Sequence, residues 1–487
     1  MKKTTIIRSV ALGLISVGIG GYFYIVNQVI SGVDTAFTTA QHNGLFESVS
    51  YGEVEVDLFA DTVTINTLKI NFDARKSIAN SVSMLSLNNI SETSSSTYEK
   101  IVITGIWNLI KGGHVIAALD GTNSTLEVDV IQSTMTPNGV TTVTNKVNGT
   151  MAHESVRGLD VSALLEAHPT LQDLAFISMT SYTIDDMTLD MTVYGKSANS
   201  SHVMAPLEIH YKVPQVFAEN ISPEFIGAVG ARNLEMTISP MAPSTRPFKV
   251  EIGEVRVSDV KMVDLFPVKM TYGINNLTFD TTNIADPTLT SVMSMMGINE
   301  LNMNMTIGYE ADLKARTFSI APFTFSIKKI GRFDLALDLS GIPTNEDLQA
   351  LNQPKTSPST NTDRPDMTFA EFTDKIAIKN FTIGYQDKGM LKKFIAAQAL
   401  ILTDGNIPAL AQGYAQQAAL LVNATHGPEK SQAVMVTLAA FFANPNKLTI
   451  ALHADLPVLV SDLKTALKVS GPSALNAFKL EVTGLQP

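Results

Sequence analysis

The chain has 487 residues, 45% hydrophobic and 17% charged, with a net charge of −11 and no cysteine. That length exceeds one ordinary core and implies two or more structural units. The apolar content is too high for a disordered chain. The acidic balance, without a basic stripe carrying interleaved aromatics, argues against nucleic acid as a partner. Lack of cysteine excludes disulfides, zinc–thiolate sites and cysteine nucleophiles.

Lys2, Lys3 and Arg8 precede a stretch with no charge until Asp34. A helix needs about 20 apolar residues to span a bilayer, and Ser9–Val33 supplies them, so residues 1–33 are expected to form a transmembrane anchor. A basic flank held in the cytoplasm puts everything after Asp34 on the far side of the membrane. The rival reading is a cleaved signal segment, with Gly18 and Gly20 as the small residues before the cut. Tyr22, Phe23 and Tyr24, placed like an interfacial belt, favour the anchor. Residues 34–46 read as a short juxtamembrane helix. No second span is expected, since 405–428 carries Gln412, Gln416, Gln417 and Asn423.

From residue 47 the period changes to two. Val54, Val56 and Leu58 alternate with polar residues, as do Val63 and Ile65, and "FADT" between them predicts a hairpin. Leu68, Ile70 and Phe72 continue one step out of phase, which places a β-bulge at Thr67. The same texture, rich in Thr and Val, recurs to residue 351 and defines an elongated, twisted antiparallel β-body. Two helices interrupt it. One follows Asp160 as N-cap; the other has Asp286 as N-cap, Pro287 at its first position and Gly297 as its stop. Residues 352–366, "NQPKTSPSTNTDRPD", have almost nothing to bury and read as a linker. Beyond it, 367–487 is expected to be a helix-rich α+β unit. Its first helix carries Leu391, Phe394 and Ile395 on one face, and its second Leu410, Tyr414 and Leu421. A third helix, a strand, a fourth helix and a closing strand follow. The fold class is therefore α+β, mainly β.

One phrase repeats: "IDDMTL" from Ile184, "INNLTF" from Ile274 and "IKNFTI" from Ile378. A catalytic or hard-metal motif keeps its carboxylate, yet the polar pair is Asp-Asp, Asn-Asn and Lys-Asn in turn. The phrase reads as a strand signature, its polar pair marking a turn or the start of a strand. The eight histidines show neither i, i+4 spacing nor an H-E-x-x-H pattern, and no G-x-S-x-G elbow or P-loop is present. Met293, Met295, Met296, Met303 and Met305 cluster like soft Cu(I) ligands, but methionine as core filler or as cavity lining accounts for them better. No catalytic, metal or cofactor site is expected.

With the anchor and the segment Val49–Ile70 in view, the chain resembles single-anchor bacterial envelope proteins of the YdgA-like and AsmA-like kind. The resemblance implies a bacterial inner-membrane protein with one pass and a periplasmic body, and AsmA-like relatives are associated with lipid traffic. It brings no catalytic residues. A long sheet with one apolar face must bury that face against helices, a second sheet or a ligand. The first functional expectation is thus a non-enzymatic protein that binds or conducts phospholipid or another lipid. Val54, Val56, Leu277, Phe279, Met303 and Met305 would line the apolar ligand face. The alternative is a structural or assembly factor with a fully packed core that acts through protein contacts; a hydrolase has no nucleophile–base signature to support it.

Overall fold

The computed structural model describes residues 25–35, 37–38, 41, 47–72, 90–136, 139–162, 177–196, 207–239, 247–263, 266–281, 290–291, 293–294, 297–347 and 375–484. The chain divides into two compact units, Met1–Val250 and Glu251–Pro487. Antiparallel strands dominate both, as the alternation predicts, and the helices gather mainly in the C-terminal part.

The first unit is a meander. Strands β1 (Ser48–Ser50) and β2 (Val54–Asp57) pair with opposite ends of β3 (Thr62–Phe72). From there β4 (Ile90–Thr104), β5 (Val115–Thr136), β6 (Gly139–Asp160), β7 (Met179–Lys196), β8 (Leu207–Ile221) and β9 (Phe225–Ile238) each pair with the next. The β2–β3 hairpin forms where "FADT" predicts it. Asp57 Oδ1 accepts from the backbone N–H of Phe59 and Ala60, which fixes the turn. Helix α1 (residues 25–35) and the short α2 (Ile106–Ile110) close the β1–β4 end. Ile25, Val26, Val29 and Val33 pack on a core built from Val63, Ile65, Leu68, Ile101 and Ile106. Trp107 joins that core and donates from Nε1 to the Leu58 carbonyl at 2.8 Å.

This packing corrects the extent of the expected anchor. Residues 9–24 lie outside the described residues, but the last third of the apolar run, from Ile25, is covered by the protein's own sheet. Among the described residues no single helix is long and apolar enough to cross a membrane.

In the second unit β10 (Phe248–Val263), β11 (Phe266–Asp280), β12 (Glu300–Asp312), β13 (Thr317–Ile327), β14 (Gly331–Ser340), β15 (Ala377–Asp387), β16 (Lys447–Leu459) and β17 (Lys479–Gly484) follow in sequence order. Helices α3 (Met390–Leu402) and α4 (Ile407–Ala443) connect β15 to β16, and α5 (Val460–Ser470) follows β16. The predicted second and third C-terminal helices both form within α4, divided at Gly427, whose φ of 82° and ψ of 173° suit only glycine, just before Pro428; Ser431 donates to the Ala419 carbonyl at 2.7 Å, so the second helix turns back along the first. Gly297 ends its helix as predicted: its φ is 72°, and the Ile298 N–H closes back on the Met293 carbonyl at 2.8 Å. The first predicted interruption, after Asp160, falls largely outside the described residues, although Asp160 Oδ1 does accept from the Ser162 N–H at 2.9 Å.

The division at 250/251 differs from the expected one. Residues 352–366 lie outside the described residues, yet β14 pairs with β15 from Gly331↔Asp387 to Ser340↔Ala377. The C-terminal α+β segment therefore continues the same sheet instead of forming a unit of its own.

The first two copies of the repeated phrase sit in mid-strand, which corrects their reading as a turn or strand start, while the third, from Ile378, opens β15 as read. Asp186 and Asn276 are left-handed, at φ 52° and 54°, inside β7 and β11. In the third copy the register slips at Lys379. The second and third copies, where the register slips, are β-bulges. Thr67 is left-handed as well (φ 53°), in agreement with the phase slip read from the sequence, as are Asn123 (φ 49°) and Asn233 (φ 55°). In the first unit these residues form a seam. Pairing lapses across it while the register is kept, from Asn66↔Lys100 to Leu68↔Tyr98, from Thr122↔His153 to Ser124↔Met151, and from Asp185↔Gln215 to Met187↔Val213. Across the seam the residues on one face are three apart instead of two: Ile65 and Leu68, Tyr98 and Ile101, Ile184 and Met187, Val213 and Val216.

Candidate ligand-binding faces

The seam determines the chemistry of the surfaces. A strand that alternates strictly sends every second side chain to one face, and one extra residue reverses the phase. Here the sequence changes phase where the backbone does, so in each unit the apolar side chains on either side of a seam stay on one face.

In the second unit the register aligns rows of apolar side chains. Met305, Phe325, Phe333, Tyr385 and Leu448 stand opposite one another from β12 to β16. Beside them run Ile307, Phe323, Leu335, Ile383, Ile450 and Val482, and then Tyr309, Ile320, Leu337, Phe381, Leu452 and Leu480. The opposite face carries Thr306, Thr324, Asp334, Gly384 and Thr449 in the corresponding row. There Arg332 pairs with Asp334 at 2.8 Å, and His453 meets Asn380 at 3.1 Å.

Among the described residues, helices close one edge of the apolar face. Ala415, Val434 and Leu438 of α4 pack against Leu448, Ile450, Leu452, Leu480 and Val482. Phe441 meets the Tyr385 ring edge-on at 6.3 Å. Further from that edge, Phe333 of β14 is 40% exposed and Ile383 of β15 38%. Met303, Met305, Phe323, Phe325, Leu335 and Leu337 are half-buried, shielded by neighbours in the sheet. A smaller apolar groove of about 420 Å³ lies between α3 and α4, lined by Leu391, Phe394, Tyr414, Leu421 and Phe442.

The first unit is built alike. Its closed end lies under α1, and beyond it Leu126, Val147, Leu189, Met191, Tyr211 and Met236 are half-buried on β5 to β9. One carboxylate interrupts this face. Glu154, on β6, stands in register between Gly121 and Ile184. Tyr98 donates to its Oε2 and Tyr182 to its Oε1, both at 2.8 Å. Burial first, then the charge of Glu154, raises both phenols far above their ordinary range, so they remain protonated donors. The polar face carries its own network: Arg157 binds Asp120 at 2.7 Å, and His153 lies 3.5 Å from both Asp120 and Asp185.

The six sequence-predicted residues separate. Leu277 is directly opposite Met303, Met305 opposite Ile274 and Phe279 opposite Leu301, so four of them share the half-buried apolar face of the second unit. Val54 and Val56 belong to the first unit and pack into the cluster beneath α1, since the hairpin turns them toward that helix. They are core, not ligand surface. Sequence reading missed Phe325, Phe333, Leu335 and Ile383, which the alternation marked but only strand pairing could bring together. It also missed Glu154, whose signal was a charge in phase with Val156. Among the described residues no group of three or more His, Asp or Glu is placed to hold a metal ion.

A family model described as "Uncharacterized protein" matches residues 324–484, from β13 to β17. Comparison with the curated proteins gives no match.

Proposed function

We propose that the chain is a non-enzymatic lipid-binding protein of the bacterial envelope, tethered to the inner membrane by its N-terminal segment with its body in the periplasm. It holds acyl chains along its apolar sheet faces. The observation that carries this reading is the apolar face of β11 to β15, which no helix among the described residues covers and whose exposed Phe333 and Ile383 adjoin rows of half-buried apolar side chains. Contiguous apolar surface left open by a protein's own helices marks a binding surface, and the lack of any convergent polar group on it fits a ligand of hydrocarbon. The charge pattern at Lys2, Lys3 and Arg8 supports the membrane topology, and the resemblance to YdgA-like and AsmA-like proteins agrees with the location.

The test is lipid mass spectrometry on the full chain, purified in a nonionic detergent and washed. Retained phospholipid in near-stoichiometric amount is expected. A lipid-free protein that also takes up none when phospholipid is added back would overturn the reading. A second reading, an envelope assembly factor acting through protein contacts, is favoured by the end of α3, where Leu400, Ile401 and Leu402 are 72%, 75% and 60% exposed.

A further inference from the structure

Among the residues whose side chains are described, the apolar face of the first unit, followed strand by strand from β2 to β9, carries one ionisable acid, Glu154. A carboxylate on such a face is costly unless something compensates it. No basic side chain does so among the described residues. The neighbouring cation, Arg157, spends its charge on Asp120, on the polar face. Two phenols hold the carboxylate instead. Tyr182 reaches it from β7, and Tyr98 reaches it from β4 by leaning over β5. Gly121 makes room for that lean: a Cβ there would stand 3.0 Å from the Tyr98 ring, which would have to shift by a few tenths of an ångström. Two neutral donors orient the carboxylate and leave its charge in place, with an aromatic ring on either side.

We propose that Tyr98, Glu154 and Tyr182 form a subsite for a primary ammonium group, the head of an amphiphile whose chains lie on the adjoining apolar face. An ammonium supplies the missing positive charge, its N–H groups reach the remaining lone pairs of the carboxylate, and the flanking rings add cation–π attraction. The anionic head of a phosphatidylglycerol would meet repulsion at the same place. This inference rests on the lipid-binding reading above and names the head group that reading leaves open.

The experiment is native mass spectrometry of the full chain in nonionic detergent, titrated with dioleoylphosphatidylethanolamine or dioleoylphosphatidylglycerol, for wild type and Glu154→Gln. The glutamine variant keeps the shape and an acceptor for the tyrosines. Wild type should bind the ethanolamine lipid about tenfold more tightly, the scale of one charge-assisted pair, and Glu154→Gln should bind both lipids equally at an unchanged total. Equal binding of the two lipids by wild type overturns the ammonium subsite and leaves the lipid reading standing. Binding of neither overturns both. Phosphoethanolamine without chains, added as competitor, separates the sources of the ammonium: displacement of the lipid's head-group preference at equal concentration would make the site one for free amines and overturn the amphiphile. Should Glu154→Gln fold poorly, Tyr98→Phe with Tyr182→Phe removes the clamp while keeping the rings; a preference still fully intact in that variant overturns the role of the tyrosines.

Discussion

Ile383→Glu tests the apolar face of the second unit most directly. Ile383 lies at the centre of its row, between Leu335 and Ile450, and is 38% exposed. Covering the exposed part of an isoleucine with an acyl chain is worth about 1 kcal/mol, a fraction of the roughly 1.5–3 kcal/mol for full burial. In the lipid-free protein a glutamate there can turn its carboxylate to water through the same opening. The fold then loses only part of its packing, about 1–2 kcal/mol, and melts a few degrees lower. In the lipid complex that carboxylate would lie under hydrocarbon, which costs several kcal/mol. With about 3 kcal/mol as a modest figure, affinity falls by more than about 100-fold. The assay is lipid titration by native mass spectrometry beside thermal melts followed by circular dichroism. Ser326→Glu is the control: Ser326 is on the polar face, opposite Arg332, and its charge should leave binding unchanged. Undiminished binding by a folded Ile383→Glu protein, or equal losses in both variants, would refute the assignment of that face.

Three further outcomes follow from the geometry. Asn276 is left-handed at φ 54°, so Asn276→Ala should cost about 1 kcal/mol in urea unfolding while Asn276→Gly changes stability by only a few tenths; equal losses would remove the backbone argument. Trp107→Phe leaves the Leu58 carbonyl without its 2.8 Å donor and should cost about 1–2 kcal/mol, read by the same denaturant titration; an unchanged midpoint would show that the bond contributes nothing. The phenols of Tyr98 and Tyr182 are raised in the folded state, chiefly by burial and then by Glu154, from an ordinary value of 10.0. The unfolded chain ionises first, so their contribution is whole below pH 10.0 and is lost as pH rises above it. Alkaline unfolding midpoints should therefore drop beyond that pH and flatten in the Tyr98→Phe, Tyr182→Phe variant, and an identical alkaline limb would count against the burial of these rings.

Much of this architecture was legible because alternation is a local signal. Val54, Val56, Val63 and Ile65 announce their strands without knowledge of any partner, and Leu68 betrays the change of phase at the left-handed Thr67 by being out of step, although the register across β3 and β4 does not slip as a bulge would make it. The repeated phrase was harder. Asn and Asp take the left-handed conformation in turns and in bulges for the same reason, a short side chain that bonds its own backbone, so Asp186 and Asn276 carry no mark that distinguishes the two. Composition likewise identifies 352–366 as unable to pack, but only long-range pairing joins β14 to β15 around it. The apolar residues from Ile25 to Val33 read the same whether lipid or a sheet covers them; the core under α1 decides that point. Glu154 was visible as a charge in an apolar phase, while its tyrosines come from strands far apart in the chain, and no spacing rule links Tyr98 to Tyr182.

The bulges connect the sequence to the proposed function. Strands β5 and β6 each run 22 residues, about 70 Å if fully extended. A strand that long, with unbroken alternation in a twisting sheet, leaves no freedom to correct its course, and a phase slip in the sequence alone would turn half of its apolar residues into water. The left-handed residues resolve both problems in one step. They absorb the slip, so that Ile184 and Met187, or Ile274 and Leu277, point the same way, and they bend the strand as bulges do. A sheet folded for its own stability alone would close such a face with helices from edge to edge. Here α1 covers one edge of the first unit and α4 one edge of the second. The seams hold the apolar side chains beyond those edges to one face, as the proposed binding of hydrocarbon requires.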